Sequence, residues 1–184
     1  MFMHKKFLAA LGVAALMAAC ATAPDGSTRS VPRHGPDLGA APSAAMLAAM
    51  DISIPPSGAG LPGGSGSVVQ GQKVYGEKCQ ACHGVKGEGK PADRLVGGTG
   101  SLASGKAIRT VGSYWPYATT LFDYTRRAMP TTAPRSLSDE EVYAVTAYVL
   151  FLNGIVPASA IMSAQTLPQV QMPNRDGFID YSRK

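Results

Sequence analysis

The stretch CQACHG, residues 79–84, places two cysteines two residues apart and a histidine directly after the second. This spacing is compatible with three kinds of site: a redox-active disulfide, part of a zinc site, or an attachment site for haem. The three differ in the additional ligands and the surrounding fold that they require. The rest of the sequence therefore decides among them.

The chain has too few Cys and His residues for a structural zinc site. A structural zinc site needs four Cys or His ligands, and beyond residue 68 the chain offers only Cys79, Cys82 and His83. A thioredoxin-like pair requires a βαβ setting, whereas the flanking sequence here is helical in pattern and rich in glycine. Two sulfurs one helical turn apart can bond both vinyl groups of a haem while the next residue offers its imidazole to the iron. The pattern C-x-x-C-H therefore predicts one covalent haem c on Cys79 and Cys82, with His83 as iron ligand.

Composition and charge exclude a nucleic-acid-binding protein. Of the 184 residues, 45% are apolar and 16% are charged, which is sufficient for a small buried core. The formal net charge is +5, and removal of Lys5 and Lys6 with a leader would leave about +3 before two haem propionates lower it further. No basic stripe is present, so we expect no nucleic acid among the partners.

The N-terminus has the organisation of an export signal. A basic segment, MFMHKK, precedes the apolar run FLAALGVAALMAA, which at roughly 13 residues is too short to span a bilayer. We assign residues 1–19 as a signal peptide. The following ALMAAC is similar to a bacterial lipobox, which predicts that Cys20 is the lipidated first residue of a periplasmic, membrane-anchored lipoprotein. Ordinary cleavage after Ala21 remains the alternative.

Residues 20–67 predict a lipid-anchored flexible linker, because glycine and proline are frequent and charges are few. A Gly-rich chain of about 47 residues has a root-mean-square reach of roughly 35–40 Å. Within it, SAAMLAAM is compatible with a brief helix. The linker would allow a membrane-anchored domain to meet partners above the bilayer.

Three stretches beyond the linker have helical patterns: 68–80, 117–128 and 136–154. The last is the clearest, since Ser138 and Glu141 form a capping box and Asn153–Gly154 provides a stop. No alternation typical of strands is present, so we predict an all-α domain over residues 68–156, with the tail 157–184 packing on it. The apolar stripe of the last helix consists of Val142, Val145, Tyr148, Val149 and Leu152.

A haem iron bound by His83 needs a second axial ligand or keeps an open position. Methionine is the usual partner in electron-transfer cytochromes and raises the potential. The candidates beyond the attachment site are Met129, Met162 and Met172. Met129 leaves a helical stretch directly before Pro130, which fixes its backbone. We therefore predict Met129 as the ligand and expect the other two to pack in the tail or remain exposed.

Residues 68–156 resemble a class I cytochrome c, which has three to five helices around one covalent haem. The resemblance implies a close crossing of the first and last helices, matched here by Gly71, Tyr75 and Tyr148. It also implies a loop proline whose carbonyl accepts the hydrogen bond of the proximal histidine. Pro91 is the proline in that loop, and a neighbouring carbonyl such as that of Asp93 is the alternative acceptor.

A narrower resemblance covers roughly residues 70–178. The stretch GSYWPYATTLFDYTRRAMP and the tail motif MPNRDGF are similar to the cytochrome subunits and domains of bacterial molybdenum sulfite dehydrogenases. This implies that Tyr114 and Trp115 lie near the haem propionates, with Arg94 and Arg126 as possible propionate partners. For the two aromatic residues the alternative is core packing, and for the arginines it is a solvated surface charge.

The predicted function is that of an exported monohaem cytochrome c. It would transfer single electrons from a dehydrogenase of sulfite or another sulfur compound to a cytochrome c or terminal oxidase, and would not itself be an enzyme. Two alternatives remain. One is a haem enzyme with an open distal site, which the lack of a second histidine in the domain disfavours. The other is a permanently bound subunit of a respiratory complex.

Overall fold

The computed structural model describes residues 39–183, and from Ala44 onward they form one compact unit. The predicted signal peptide, Cys20 and the first part of the predicted linker lie outside the described residues. In the described part of the chain, no helix has the length and apolar character needed to cross a membrane. The helices are α1 (Ala44–Met50), α2 (Val68–Lys78), α3 (Gln80–His83), α4 (Ala118–Ala128) and α5 (Asp139–Leu152); the strands are β1 (Ser65–Ser67) and β2 (Ile161–Ser163); two 3-10 turns cover Leu167–Gln169 and Tyr181–Arg183.

The predicted all-α architecture is confirmed, with one small addition that the sequence did not reveal. Strands β1 and β2 pair antiparallel, with Gly66 opposite Met162. A Cβ on Gly66 would lie 2.2 Å from the backbone nitrogen of Ala144. The ribbon therefore packs directly on the backbone of α5, and only glycine permits that approach.

Helices α2 and α5 cross at Gly71, as the family resemblance implies. A Cβ added to Gly71 would lie 1.9 Å from the carbonyl oxygen of Ala144, so the two backbones touch at this point. One turn further along, the rings of Tyr75 and Tyr148 pack with centroids 5.3 Å apart. Both helices begin at capping boxes, formed by Ser67 with Gln70 and by Ser138 with Glu141. The crossing sets the frame on which the remaining elements pack.

Helix α5 is the centre of the core. Every residue from Val142 to Leu150 is buried, which a helix achieves only when neighbours surround it. Helix α2 covers one side and the β-ribbon another. On α4, Phe122 packs its ring 4.5 Å from that of Tyr143.

Residues 51–67, assigned from sequence to the flexible linker, are packed on the domain. Ile54 is buried, and its amide donates to Asp123 Oδ1 at 2.8 Å. The hydroxyls of Thr119 and Tyr143 donate to the carbonyl oxygens of Pro56 and Pro62 at 3.1 and 2.8 Å. Buried hydroxyls need acceptors, and this segment provides them. The folded domain therefore begins upstream of the boundary placed at residue 68.

The tail continues the same packing after β2. Met162, Leu167 and Met172 are all buried in the core. At its end, Asn174 Nδ2 donates to the carbonyl oxygen of Tyr114 at 2.7 Å. The segment before the haem-attachment region and the tail after the last helix thus both pack on the helical core.

Candidate functional site

A cavity of about 890 Å³ lies among α2, α3, α4 and α5. Its volume is at the upper end of the range for small-molecule and cofactor sites. Six of the nine residues predicted to contact the cofactor line this cavity: Cys79, Cys82, His83, Arg94, Trp115 and Met129. The three others, Pro91, Tyr114 and Arg126, lie outside it.

The attachment motif forms a tight turn at the end of α2. Cys79 caps that helix, and its carbonyl oxygen accepts the amides of Cys82 and His83 at 3.1 and 3.0 Å. This places the two thiols one turn apart at the cavity wall, and both are free rather than joined in a disulfide. Burial raises the pKa of the Cys79 thiol to about 11. Redox-active cysteines have a lowered pKa, so this environment does not favour the thioredoxin-like alternative.

Tyr75 ties α2 to the turn that follows the motif. Its hydroxyl donates to the carbonyl oxygen of Gly84 at 2.8 Å. Burial raises the pKa of Tyr75 to about 12, so the hydroxyl stays protonated and keeps donating throughout the physiological pH range. The position of His83 is therefore fixed from the helix as well as from the loop beyond it.

The imidazole of His83 is oriented by a backbone carbonyl. Its Nδ1 lies 2.8 Å from the carbonyl oxygen of Asp93. Because a carbonyl only accepts, Nδ1 carries the proton in this bond, and Nε2 remains free for a metal. The loop is held in place by the amides of Gly89 and Ala92, which donate to the carbonyl oxygens of His83 and Cys82 at 2.8 and 2.9 Å.

The prediction that Pro91 supplies this acceptor is wrong, and the alternative, Asp93, is correct. Pro91 is exposed and does not line the cavity. The chain turns at this point, with the amide of Lys90 donating to the carbonyl oxygen of Ala92 at 2.8 Å. That turn brings the carbonyl of Asp93, two residues after the proline, next to His83.

Met129 is the one methionine among the three candidates that reaches the cavity. Helix α4 ends at Ala128, and Met129 takes an extended backbone conformation while its amide still donates to the carbonyl oxygen of Thr125 at 3.1 Å. Pro130 then prevents the helix from continuing. Met162 and Met172 are buried in the core away from the cavity. His83 and Met129 thus line the same cavity from different elements.

Of the aromatic and basic residues predicted near the propionates, two line the cavity and two do not. Trp115 and Arg94 line the cavity. Tyr114 does not: its ring packs edge-on against Phe178 with centroids 5.2 Å apart. Arg126 is also outside, because its Nε donates to Asp139 Oδ1 at 2.9 Å. The suggested propionate roles of Tyr114 and Arg126 therefore have no support in the geometry.

Arg109 is a cavity residue that the sequence did not single out. It lines the cavity with Arg94, and its guanidinium carbon lies 5.6 Å from the ring centroid of Tyr114. In the sequence, Arg109 stands out only by its position a few residues before SYWPY. That position does not distinguish a cavity residue from an ordinary surface arginine.

The cavity suits a large apolar group that carries carboxylates. Its walls include Leu95, Val111, Leu121, Val145 and Val149. Arg94 and Arg109 provide cationic side chains that can pair with carboxylates. These features match the flat apolar ring and the two propionates of a haem. The thiols of the C-x-x-C-H motif stand at the same wall.

Comparison with known proteins shows both a matching family and a similar solved structure. A protein-family model described as cytochrome c matches residues 68–153. A chain in the crystal structure of the sulfane dehydrogenase SoxCD from Paracoccus pantotrophus is similar at 37% sequence identity and a TM-score of 0.74; the match covers 80% of this chain and 73% of that one. This chain belongs to the cytochrome c family. A search of curated proteins gives no significant match.

As a cytochrome c, the protein carries covalently bound haem c in the region of Cys79 and Cys82. The haem supplies a one-electron redox couple when bound. Cys79 and Cys82 would supply the attachment thiols, and the His83 imidazole and the Met129 side chain would be available to the iron within a cavity that also has apolar walls. It is an electron-transfer cytochrome.

We predict that Cys79→Ser and Cys82→Ser each remove one thioether, and that the double variant contains no covalent haem. A pyridine haemochrome spectrum and haem staining after denaturing electrophoresis measure this directly. The single variants provide the internal comparison, since each should retain one bond and a shifted haemochrome band. Haem that remains covalently attached in the double variant would contradict the assignment.

Proposed function

We propose that this cytochrome is an exported carrier of single electrons from a sulfur-compound dehydrogenase to the respiratory chain. The observation that carries the electron-transfer role is that His83 and Met129 line one cavity. In this proposal both side chains bind the iron. With both axial positions filled by protein, substrate has no access to the metal, and only an electron passes in or out.

The pocket supports fixed ligation in both redox states. His83 is held by the carbonyl of Asp93, and Met129 by the end of α4 and Pro130. A pocket that changes little between ferric and ferrous iron suits rapid electron exchange. The combination of histidine and methionine gives a raised potential.

The proposed electron donor is a molybdenum dehydrogenase that oxidises sulfite or a related sulfur compound. The support is the similarity to a chain in the sulfane dehydrogenase structure, which extends over 80% of this protein. A cytochrome c or a terminal oxidase is the proposed acceptor. Redox encounters of this kind use small interfaces.

Stopped-flow mixing tests the donor. The ferric holoprotein is mixed with the purified sulfur-compound dehydrogenase of the same organism, with and without its substrate, and haem reduction is followed by absorbance. We expect rapid reduction only when both enzyme and substrate are present. Reduction by dithionite serves as the control that the haem is redox-active. A haem that dithionite reduces but the enzyme and its substrate leave ferric would rule out this donor.

We also propose that the protein is a periplasmic lipoprotein anchored through Cys20. The support is the sequence ALMAAC behind an export signal. Cys20→Ala should move the protein from the membrane fraction to the soluble periplasmic fraction, whereas the wild type should resist a salt wash because several acyl chains hold firmly. Intact mass gives the second readout. An unlipidated mature N-terminus at Thr22 in the wild type would show ordinary cleavage instead.

A further inference from the structure

The tail motif MPNRDGF, residues 172–178, contacts the segment SYWPY, residues 113–117. Asn174 Nδ2 donates to the carbonyl oxygen of Tyr114 at 2.7 Å, across 60 positions of sequence. The ring of Phe178 packs edge-on against the ring of Tyr114, with centroids 5.2 Å apart. The tail motif therefore holds Tyr114 by its backbone and by its ring.

The conformation of the tail motif suits these contacts. Met172 is 3% exposed and anchors the motif in the core, and its carbonyl oxygen accepts the amide of Arg175 at 3.1 Å. The Arg175 guanidinium carbon lies 4.7 Å from the ring centroid of Tyr117, the last residue of SYWPY. A Cβ on Gly177 would lie 1.8 Å from Asn174 Oδ1, so glycine permits the close turn that presents the asparagine. The motif is thus a folded element fixed to the core.

The segment held by the tail motif borders the haem cavity. Trp115 lines the cavity and packs edge-on against Tyr124, which also lines it, with centroids 5.7 Å apart. Arg109 lines the cavity as well, and its guanidinium carbon lies 5.6 Å from the ring centroid of Tyr114. A cation at this distance over an aromatic face is attracted to it. Contacts therefore run without interruption from Phe178 through Tyr114 to Arg109.

We propose that the tail motif positions Arg109 for the haem propionates by holding the Tyr114 ring on which the guanidinium packs. Tyr114 lies outside the cavity, so its ring supports the arginine and does not itself meet the haem. Arg109 is exposed, and an exposed arginine loses much rotamer freedom when it pairs with a carboxylate. A fixed ring beside the guanidinium lowers that cost, because part of the freedom is already lost.

The position of Arg109 bears on the haem potential. A propionate carries negative charge, which stabilises the more positive ferric haem. A guanidinium beside the propionate offsets that charge and therefore favours the ferrous state. The tail motif thereby raises the haem potential, although none of its own residues lines the cavity.

A double-mutant cycle on the midpoint potential of the holoprotein tests this proposal. Phe178→Ala should lower the potential in the same direction as Arg109→Gln and by a smaller amount, because it removes the support of the guanidinium and leaves its charge. In the Arg109→Gln background, Phe178→Ala should leave the potential unchanged, since no cation remains to be positioned. Phe178 is 52% exposed, so its truncation leaves the core intact.

Ile179→Ala is the matched control. Ile179 follows Phe178 directly and is 72% exposed, and its truncation should keep the wild-type potential. Asn174→Ala tests the second contact with Tyr114, and it should also lower the potential only while Arg109 is present. It replaces Phe178→Ala in the cycle if that variant does not fold.

Two results would overturn the proposal. One is a wild-type potential in Phe178→Ala with a lower unfolding temperature, which would show that the tail motif only stabilises the fold. The other is an equal shift by Phe178→Ala with and without Arg109, which would show that the tail acts on the haem by another route. Both results are independent of which dehydrogenase donates the electron, so they leave the proposed function to its own test.

Discussion

Gly71→Ala is expected to prevent stable folding of the haem domain. The new Cβ would lie 1.9 Å from the carbonyl oxygen of Ala144 and 2.8 Å from Cβ of Tyr148. Both are fixed atoms of the central helix, so α2 and α5 would have to separate. We expect a loss of about 3 kcal/mol or more, which is a large part of the stability of a small domain. Chemical denaturation of the holoprotein followed by circular dichroism measures the loss.

Gly76→Ala is the matched control on the same helix. Gly76 is exposed, and a Cβ there would meet no atom within 4 Å. Because alanine is the better helix former, this substitution should be neutral or stabilise the domain by up to about 1 kcal/mol. If Gly71→Ala were as stable as Gly76→Ala, the close approach of the two helices at Gly71 would be refuted.

The parts of the fold and site that the sequence predicted depend on short-range signals. The C-x-x-C-H turn, the capping box of Ser138 and the exit of Met129 before Pro130 each involve residues a few positions apart. The conformation of such a turn, cap or helix end depends on residues that are close in sequence, so the sequence alone predicts it. The helix crossing at Gly71 joins residues far apart in the chain, so short-range signals could not predict it. The family resemblance did.

The parts that the sequence missed depend on contacts between distant residues. Residues 51–67 look like a linker because glycine and proline are frequent and charges are few, yet their carbonyls accept hydrogen bonds from hydroxyls on α4 and α5. The choice of Asp93 over Pro91 depends on how one loop closes through backbone hydrogen bonds. Arg126 was an equal candidate to Arg94 until its ion pair with Asp139 was visible.

Met129→Ala is expected to have the largest effect on redox behaviour. Removing the thioether opens the sixth position of the iron. We expect the potential to fall by on the order of 0.1 V or more, since axial ligands set haem potentials across about 0.8 V and methionine favours the reduced state. Potentiometric titration of the holoprotein measures the shift. Met162→Leu and Met172→Leu are the controls, because both side chains are buried outside the cavity and volume-conserving changes there are tolerated.

The near-infrared spectrum of the ferric protein tests the proposed ligation by His83 and Met129 most directly. A methionine sulfur bound to low-spin ferric haem gives a weak sulfur-to-iron charge-transfer band. We predict this band in the wild type, its retention in Met162→Leu and Met172→Leu, and its loss in Met129→Ala together with a change to high spin or to a foreign ligand. Retention of the band in Met129→Ala, with its loss in Met172→Leu, would contradict the account.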